Sequence, residues 1–151
     1  MLMAQRSSSN QATLPATLYP ARAFPDLANL EERARLTPAA LRAFFKIMKH
    51  WEIRDDDARL LLNGVSNGTY YAWKKGVSKP LDQDRLLRIS YLIGIFKSLN
   101  ILFSPELADC WVHLPNSNEL FAQQTPLAMM LRGGTPAMDV VRCLLDARRG
   151  G

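Results

Sequence analysis

Cysteine is nearly absent from this chain of 151 residues: Cys110 and Cys143 are too few for a disulfide framework and show no paired metal-ligand spacing. Reduced thiols in a cytoplasmic setting are the expectation that follows. Long apolar runs are missing as well. The longest, "YLIGIF" from Tyr91 to Phe96, falls far short of the roughly 20 residues of a membrane span, and nothing at the N-terminus reads as a signal peptide. A soluble protein without a membrane partner is predicted. No segment alternates apolar and polar residues as a half-buried strand does, and no solenoid repeat recurs. Glycine-rich phosphate motifs are also lacking, since "RGGTP" has no following lysine. With 48% hydrophobic residues the chain can still bury a core. The periodicities that remain are helical, so the fold class expected is all-α.

The net charge of +5 is uneven: residues 1–103 carry +6 and residues 104–151 carry −1. Basic surfaces release counterions from nucleic acid and nearly neutral ones do not, so only the front of the chain is suited to a polyanion.

The first 25 residues mix Ser, Gln, Thr and Pro without period and read as a flexible arm. "DLANLEERARL", Asp26 to Leu36, places Leu27, Leu30 and Ala34 on one side and predicts a short helix. A separate helix is predicted to follow, capped by Thr37 with Pro38 at its first position, burying Leu41, Phe44, Phe45 and Met48. A second short helix has Asp55 to Asp57 at its positive end, takes Leu60, Leu61 and Leu62 into the core, and ends at Gly64 in a left-handed turn. The stretch from Ser78 to Phe103 is predicted to start a longer helix near Asp82, with an apolar stripe (Leu86, Ile89, Ile93, Phe96) widened by Leu92, Ile95 and Leu99, which calls for more than one neighbour. Three short helices punctuated by Pro and Gly complete the chain, two of them opening on Thr125-Pro126 and Thr135-Pro136. On the last, Ala137, Val140, Val141, Leu144, Leu145 and Arg148 share a face.

Between these elements lies "VSNGTYYAWKKG", Val65 to Gly76, with no acid in it. Ser66 is a good N-cap, Tyr70 and Trp73 stand three apart on one face, and Gly76 can end the helix. Preceded by a short helix and a glycine turn, it completes a helix-turn-helix arrangement. Val65, Tyr70 and Trp73 are expected inside; Ser66, Asn67, Gly68, Thr69, Tyr71, Ala72, Lys74 and Lys75 are expected outside. Asn67 and Thr69 can hydrogen-bond base edges or backbone, and Lys74, Lys75 and Lys79 can neutralise phosphates. The simpler reading is an amphipathic helix with a solvated lysine end.

"GVSNGTYYAWKKG" resembles helix-turn-helix domains of the Xre type, matching at Gly64, Val65, Ser66, Thr69, Tyr70, Trp73 and Gly76. It departs at Leu60, where that type has a small residue four positions before the turn glycine. Residues 107–151 resemble the toxin-binding domain of the MbcA/ParS/Xre antitoxin family through Trp111, Pro115-Asn116, Leu120-Phe121, Thr125-Pro126-Leu127, Gly133-Gly134, Val141, Leu144-Leu145 and Gly150. Ala122-Gln123-Gln124 stands where that family has a glycine. The resemblance implies a helix-turn-helix and dimerisation unit over 26–103 and a C-terminal toxin-binding unit over 104–151. It implies an antitoxin of a type II pair that blocks a RES-domain, NAD-consuming toxin and represses its operon as a DNA-binding homodimer. Trp111, Asn116, Arg142, Arg148, Arg149 and Gly150 are the toxin-binding residues it implies, with Arg148 and Arg149 offered to the toxin's active site. The alternatives are a stand-alone regulator whose C-terminal helices dimerise or sense a ligand, and a toxin inhibitor that does not bind DNA.

An enzymatic reading has little to stand on. Cys110 and His113 are three apart in "CWVH" and could pair as thiolate and imidazole, but no third group or oxyanion hole accompanies them. Asp55 to Asp57 point in different helical directions, and His50 stands alone beside Trp51. No catalytic residue, metal or cofactor is predicted.

Overall fold

The computed structural model describes residues 25–150, and the predicted N-terminal arm lies, but for Pro25, outside the described residues. Among them there are six α-helices, two 3-10 turns and no strand. The helices are α1 (Leu30–His50), α2 (Asp55–Leu61), α3 (Asn67–Lys74), α4 (Gln83–Leu102), α5 (Pro105–Cys110) and α6 (Pro126–Arg148). The all-α expectation holds. No helix among the described residues is long and apolar enough to cross a membrane.

The two helices expected on either side of Thr37 are one. Asn29 caps α1, its Oδ1 accepting from the Glu32 amide at 3.0 Å, and Pro38 sits inside the helix. A proline there removes one helical hydrogen bond. Thr37 holds the helix together instead of capping it: its buried hydroxyl donates to the Arg33 carbonyl at 2.7 Å and accepts from the Leu81 amide at 2.9 Å. Continuity through Thr37 also changes which side faces inward. Leu30 and Ala34 are exposed, while Thr37, Leu41, Phe44, Ile47 and Met48 are buried. Phe45 is only half-buried.

Helix α4 is the central element. Leu86, Ile89, Leu92, Ile95 and Leu99 are buried along it, with Ile93 and Phe96 at the margins. Its most extensive contacts are with α6 and then α1, which are the several neighbours its apolar breadth demanded. Helix α6 contains the break expected between its two Thr-Pro starts. Gly134 adopts φ 64°, ψ −144°, a conformation reserved for glycine, and separates two helical stretches. The buried side chains form one continuous cluster running from Leu41 through α4 to Leu145.

Candidate functional site

The turn between α2 and α3 is built from left-handed residues and arginines. Asn63 and Gly64 have φ of 65° and 75°, and the Gly64 amide closes on the Arg59 carbonyl at 2.8 Å. The Arg59 Nε donates to the Val65 carbonyl at 2.8 Å, Arg85 Nε to Leu62 at 3.0 Å, and Arg88 Nη1 to Leu61 at 3.2 Å. Arg85 and Arg88 therefore satisfy backbone oxygens that the end of α2 leaves unpaired, and Arg59 satisfies one in the turn ahead of α3. Arg33 does likewise for Leu27, Ala28 and Leu81. Four of the fifteen basic residues in residues 1–103 are thus engaged in holding the fold.

Leu61 and Leu62 are fully buried as expected, but Leu60 is exposed. It cannot wedge α2 from α3, so its departure from the usual small residue costs the turn nothing. Ala58, fully buried, provides the small packing position.

Helix α3 divides into two faces. Val65, Tyr70 and Trp73 are buried, and Tyr70 meets Phe45 edge-on at 5.4 Å between ring centroids. Ser66, Asn67, Gly68, Thr69, Tyr71, Lys74, Lys75 and Lys79 are exposed; Ala72 is half-buried rather than outside. Ser66 caps the helix, its Oγ accepting from the Thr69 amide at 3.4 Å and donating to the Thr69 hydroxyl oxygen at 3.1 Å.

One acid reaches this face from another element. Asp55, at the start of α2, accepts from Tyr70 Oη at 2.8 Å, Lys74 Nζ at 3.0 Å and Tyr71 Oη at 3.2 Å. The Tyr70 hydrogen bond foremost, and then Lys74, hold its carboxyl below the usual carboxylate range. Burial, with the Asp55 charge added, pushes the Tyr70 hydroxyl up, so it stays a donor. The Lys74 charge is already met by an acid, and its Nζ lies 5.5 and 5.7 Å from the Tyr70 and Tyr71 ring centroids. Lys75 and Lys79 are exposed and, among the described residues, not ion-paired. Dipole complementarity explains Asp55 only in part.

Two grooves flank α3. One, of about 580 Å³, runs past Thr69, Ala72, Val77 and Lys79. The other, of about 410 Å³, brings Arg42 of α1 beside Lys74. Arg42 is exposed and escaped the sequence reading; its only signal was its place on the polar side of α1, four residues before Lys46. The arrangement offers a rigid helix with a polar outer face and cations on both sides, which matches the demands of reading a groove and gripping phosphates.

Only three of the six C-terminal candidates come together. Trp111 is buried and meets Phe121 edge-on at 6.1 Å between centroids, so it acts by packing rather than as a surface. Asn116 shapes a turn, its Oδ1 accepting from the Asn118 amide at 2.9 Å. Ala122 and Gln123 take the left-handed conformation without glycine, at φ 46° and 65°. Arg142, Arg149 and Gly150 line one cleft against α4, whereas Arg148 is exposed outside it. Arg149 is held against α4, its Nη1 donating to the Ser98 hydroxyl oxygen at 3.3 Å.

Cys110 and His113 are not a pair. The His113 Nε2 lies against the Trp51 carbonyl, and the exposed Cys110 thiol points at the Leu107 carbonyl at 3.6 Å. Among the described residues no group of three or more His, Cys, Asp or Glu side chains is placed to hold a metal.

Comparison with known proteins follows the same lines. Residues 31–94 match the antitoxin Xre-like helix-turn-helix domain, a span that begins in α1 and ends in α4. The uncharacterized protein y4oB of Sinorhizobium fredii is 39% identical over 115 residues, covering 76% of this chain and 87% of its own. An alignment of 115 residues is longer than residues 1–94, so the likeness continues past the matched domain. No solved structure matches significantly.

Proposed function

Because the chain belongs to the antitoxin Xre-like helix-turn-helix family, we propose that it is the antitoxin of a type II toxin–antitoxin pair. Its outward α3 face binds operator DNA as a homodimer. Its C-terminal part, through the exposed end of α6, binds and inhibits a RES-domain toxin that consumes NAD. The observation that carries the DNA half is the division of α3, with Val65, Tyr70 and Trp73 buried and Asn67, Gly68, Thr69 and Lys75 left in solvent. The toxin half is supported by the resemblance of residues 107–151 and by Arg148, the last helical residue of α6, standing exposed.

Each lysine that neutralises a phosphate lowers the slope of log K against log salt by about 0.9 on double-stranded DNA. Lys75→Ala and Lys79→Ala should each flatten the slope by about that amount, and Lys74→Ala by less, because Asp55 already holds its charge. Fluorescence anisotropy on operator DNA across a salt series measures this; unchanged slopes for both Lys75→Ala and Lys79→Ala would refute the assigned face.

Co-expression with the adjacent open reading frame tests the partner. Growth should be restored and a complex recovered, while a chain lacking residues 148–151 should protect less. Full protection by that shortened chain would rule out the α6 end, and no effect of the full chain on its neighbour would favour a stand-alone regulator.

A further inference from the structure

Helix α4 contains a glycine, Gly94, at a position where helical propensity argues against one. Its neighbour across the interface gives the reason. A Cβ built on Gly94 would lie 2.7 Å from Arg142 Nε and 3.1 Å from its Cδ and Cζ. The missing methyl is a notch in which the Arg142 guanidinium seats against α4, with its Cζ 6.0 Å from the Tyr91 ring centroid. Beside it lies a cleft of about 540 Å³ that also receives Lys97, Asp146 and Arg149.

The charges in this cleft do not balance. Among the described residues, Lys97, Arg142 and Arg149 face the single carboxylate of Asp146, an excess of two positive charges. Asp146 serves neither arginine closely: its oxygens stand 3.7 Å from Arg142 Nε and 3.7 Å from Arg149 Nη1, beyond hydrogen-bond distance. One of those oxygens is taken instead by the buried Ser98 hydroxyl at 3.0 Å. Both arginine side chains remain 39% exposed, so two positioned forks keep donor capacity for a ligand.

We propose that the cleft between α4 and the end of α6 is a binding site for a phosphate group, free or carried by a small molecule. A phosphate monoester brings a charge near −2, which matches the excess, and presents several acceptor oxygens to the arginine forks. A single carboxylate would leave one cation unmet. The Gly94 notch and the Ser98 hydroxyl fix the two arginines before any ligand arrives, so little side-chain freedom remains to be lost on binding. The site shares Arg142 and Arg149 with the toxin reading but does not rest on it.

The test is calorimetric titration of the full chain with inorganic phosphate and with pyrophosphate. Both should bind, pyrophosphate more tightly because it spans more of the cations. Arg149→Gln should weaken binding about tenfold, the worth of one charge-assisted hydrogen bond. Gly94→Ala should weaken it at least as much while leaving the melting temperature unchanged or raised, since alanine favours the helix and only a flexible arginine is displaced. Arg132→Ala removes an exposed cation away from the cleft and should change nothing. The proposal is overturned if pyrophosphate does not bind, if Arg132→Ala weakens it as much as Arg149→Gln, or if only a glutamate-rich peptide binds. Growth in co-expression is scored separately: loss of pyrophosphate binding with protection intact leaves the toxin reading standing, and the reverse leaves the cleft standing.

Discussion

Asp55 shows how one residue can belong to an element and work for its neighbour. It begins α2, where its charge suits the helix dipole, yet its oxygens are spent on Tyr70, Tyr71 and Lys74 of α3. The folded state therefore prefers the carboxylate, with a pKa held below the ordinary value of 3.8. A depressed carboxyl stabilises the fold fully above its unfolded pKa, and that contribution is lost as pH falls through the folded value. Asp55→Asn should lower unfolding stability at neutral pH by about 1 kcal/mol, the scale of a half-exposed ion pair plus one hydrogen bond. The gap should begin to narrow below about pH 4 and close only once the pH has fallen through the folded value, so it should be smaller at pH 3 than at pH 7. Urea titrations of both chains at pH 7 and pH 3 measure it, and an equal gap at both values would show that Asp55 acts through packing alone.

At the scale of elements, the glycines separate by what surrounds them. Gly134 interrupts α6 at φ 64°, ψ −144°, and a Cβ there would also come within 3.4 Å of Arg88 Nη2. Gly134→Ala should destabilise by about 1–3 kcal/mol. Gly68, in the first turn of α3, has nothing within 4 Å of such a Cβ, so Gly68→Ala should stabilise by up to about 1 kcal/mol. Thermal melts decide both; a stabilised Gly68→Ala chain that loses operator affinity would locate a close backbone approach of DNA. The same contrast explains what could be read from sequence. Periodicity and turn residues act within a few positions, so the glycine turn at Gly64, the buried pair Tyr70 and Trp73, and the break between the Thr-Pro starts were all legible. Asp55 beneath Lys74, Arg42 beside it and Arg142 in the Gly94 notch arise from contacts between distant helices, and no local pattern carries them. The Thr37-Pro38 pair misled because a cap and a back-bonded interior threonine look alike until Leu81 is seen to bond the same hydroxyl.

Across the whole molecule, the expected boundary near residue 103 separates proposed roles more clearly than it separates cores. Helix α4 precedes the boundary, yet its most extensive contact is with α6 beyond it. Polar links cross as well: His113 reaches the Trp51 carbonyl, His50 Nδ1 lies 3.3 Å from Asp109, and Arg149 reaches Ser98. Leu92, Ile95 and Leu99 are fully buried in a cluster that includes Val141 and Leu145, so a chain ending at residue 103 would leave apolar surface uncovered. Such sharing favours one cooperative transition over two. The indole N–H signals of Trp73 and Trp111 report opposite sides of the boundary in the unaltered chain. During urea unfolding they should vanish at one common midpoint; two separated midpoints would mean that the helix-turn-helix folds without its C-terminal helices. With a common midpoint, any ligand that binds the folded C-terminal part also stabilises the α3 face, because both are lost in the same unfolding step. Adding pyrophosphate should then raise the Trp73 midpoint together with that of Trp111, although Trp73 lies outside the cleft.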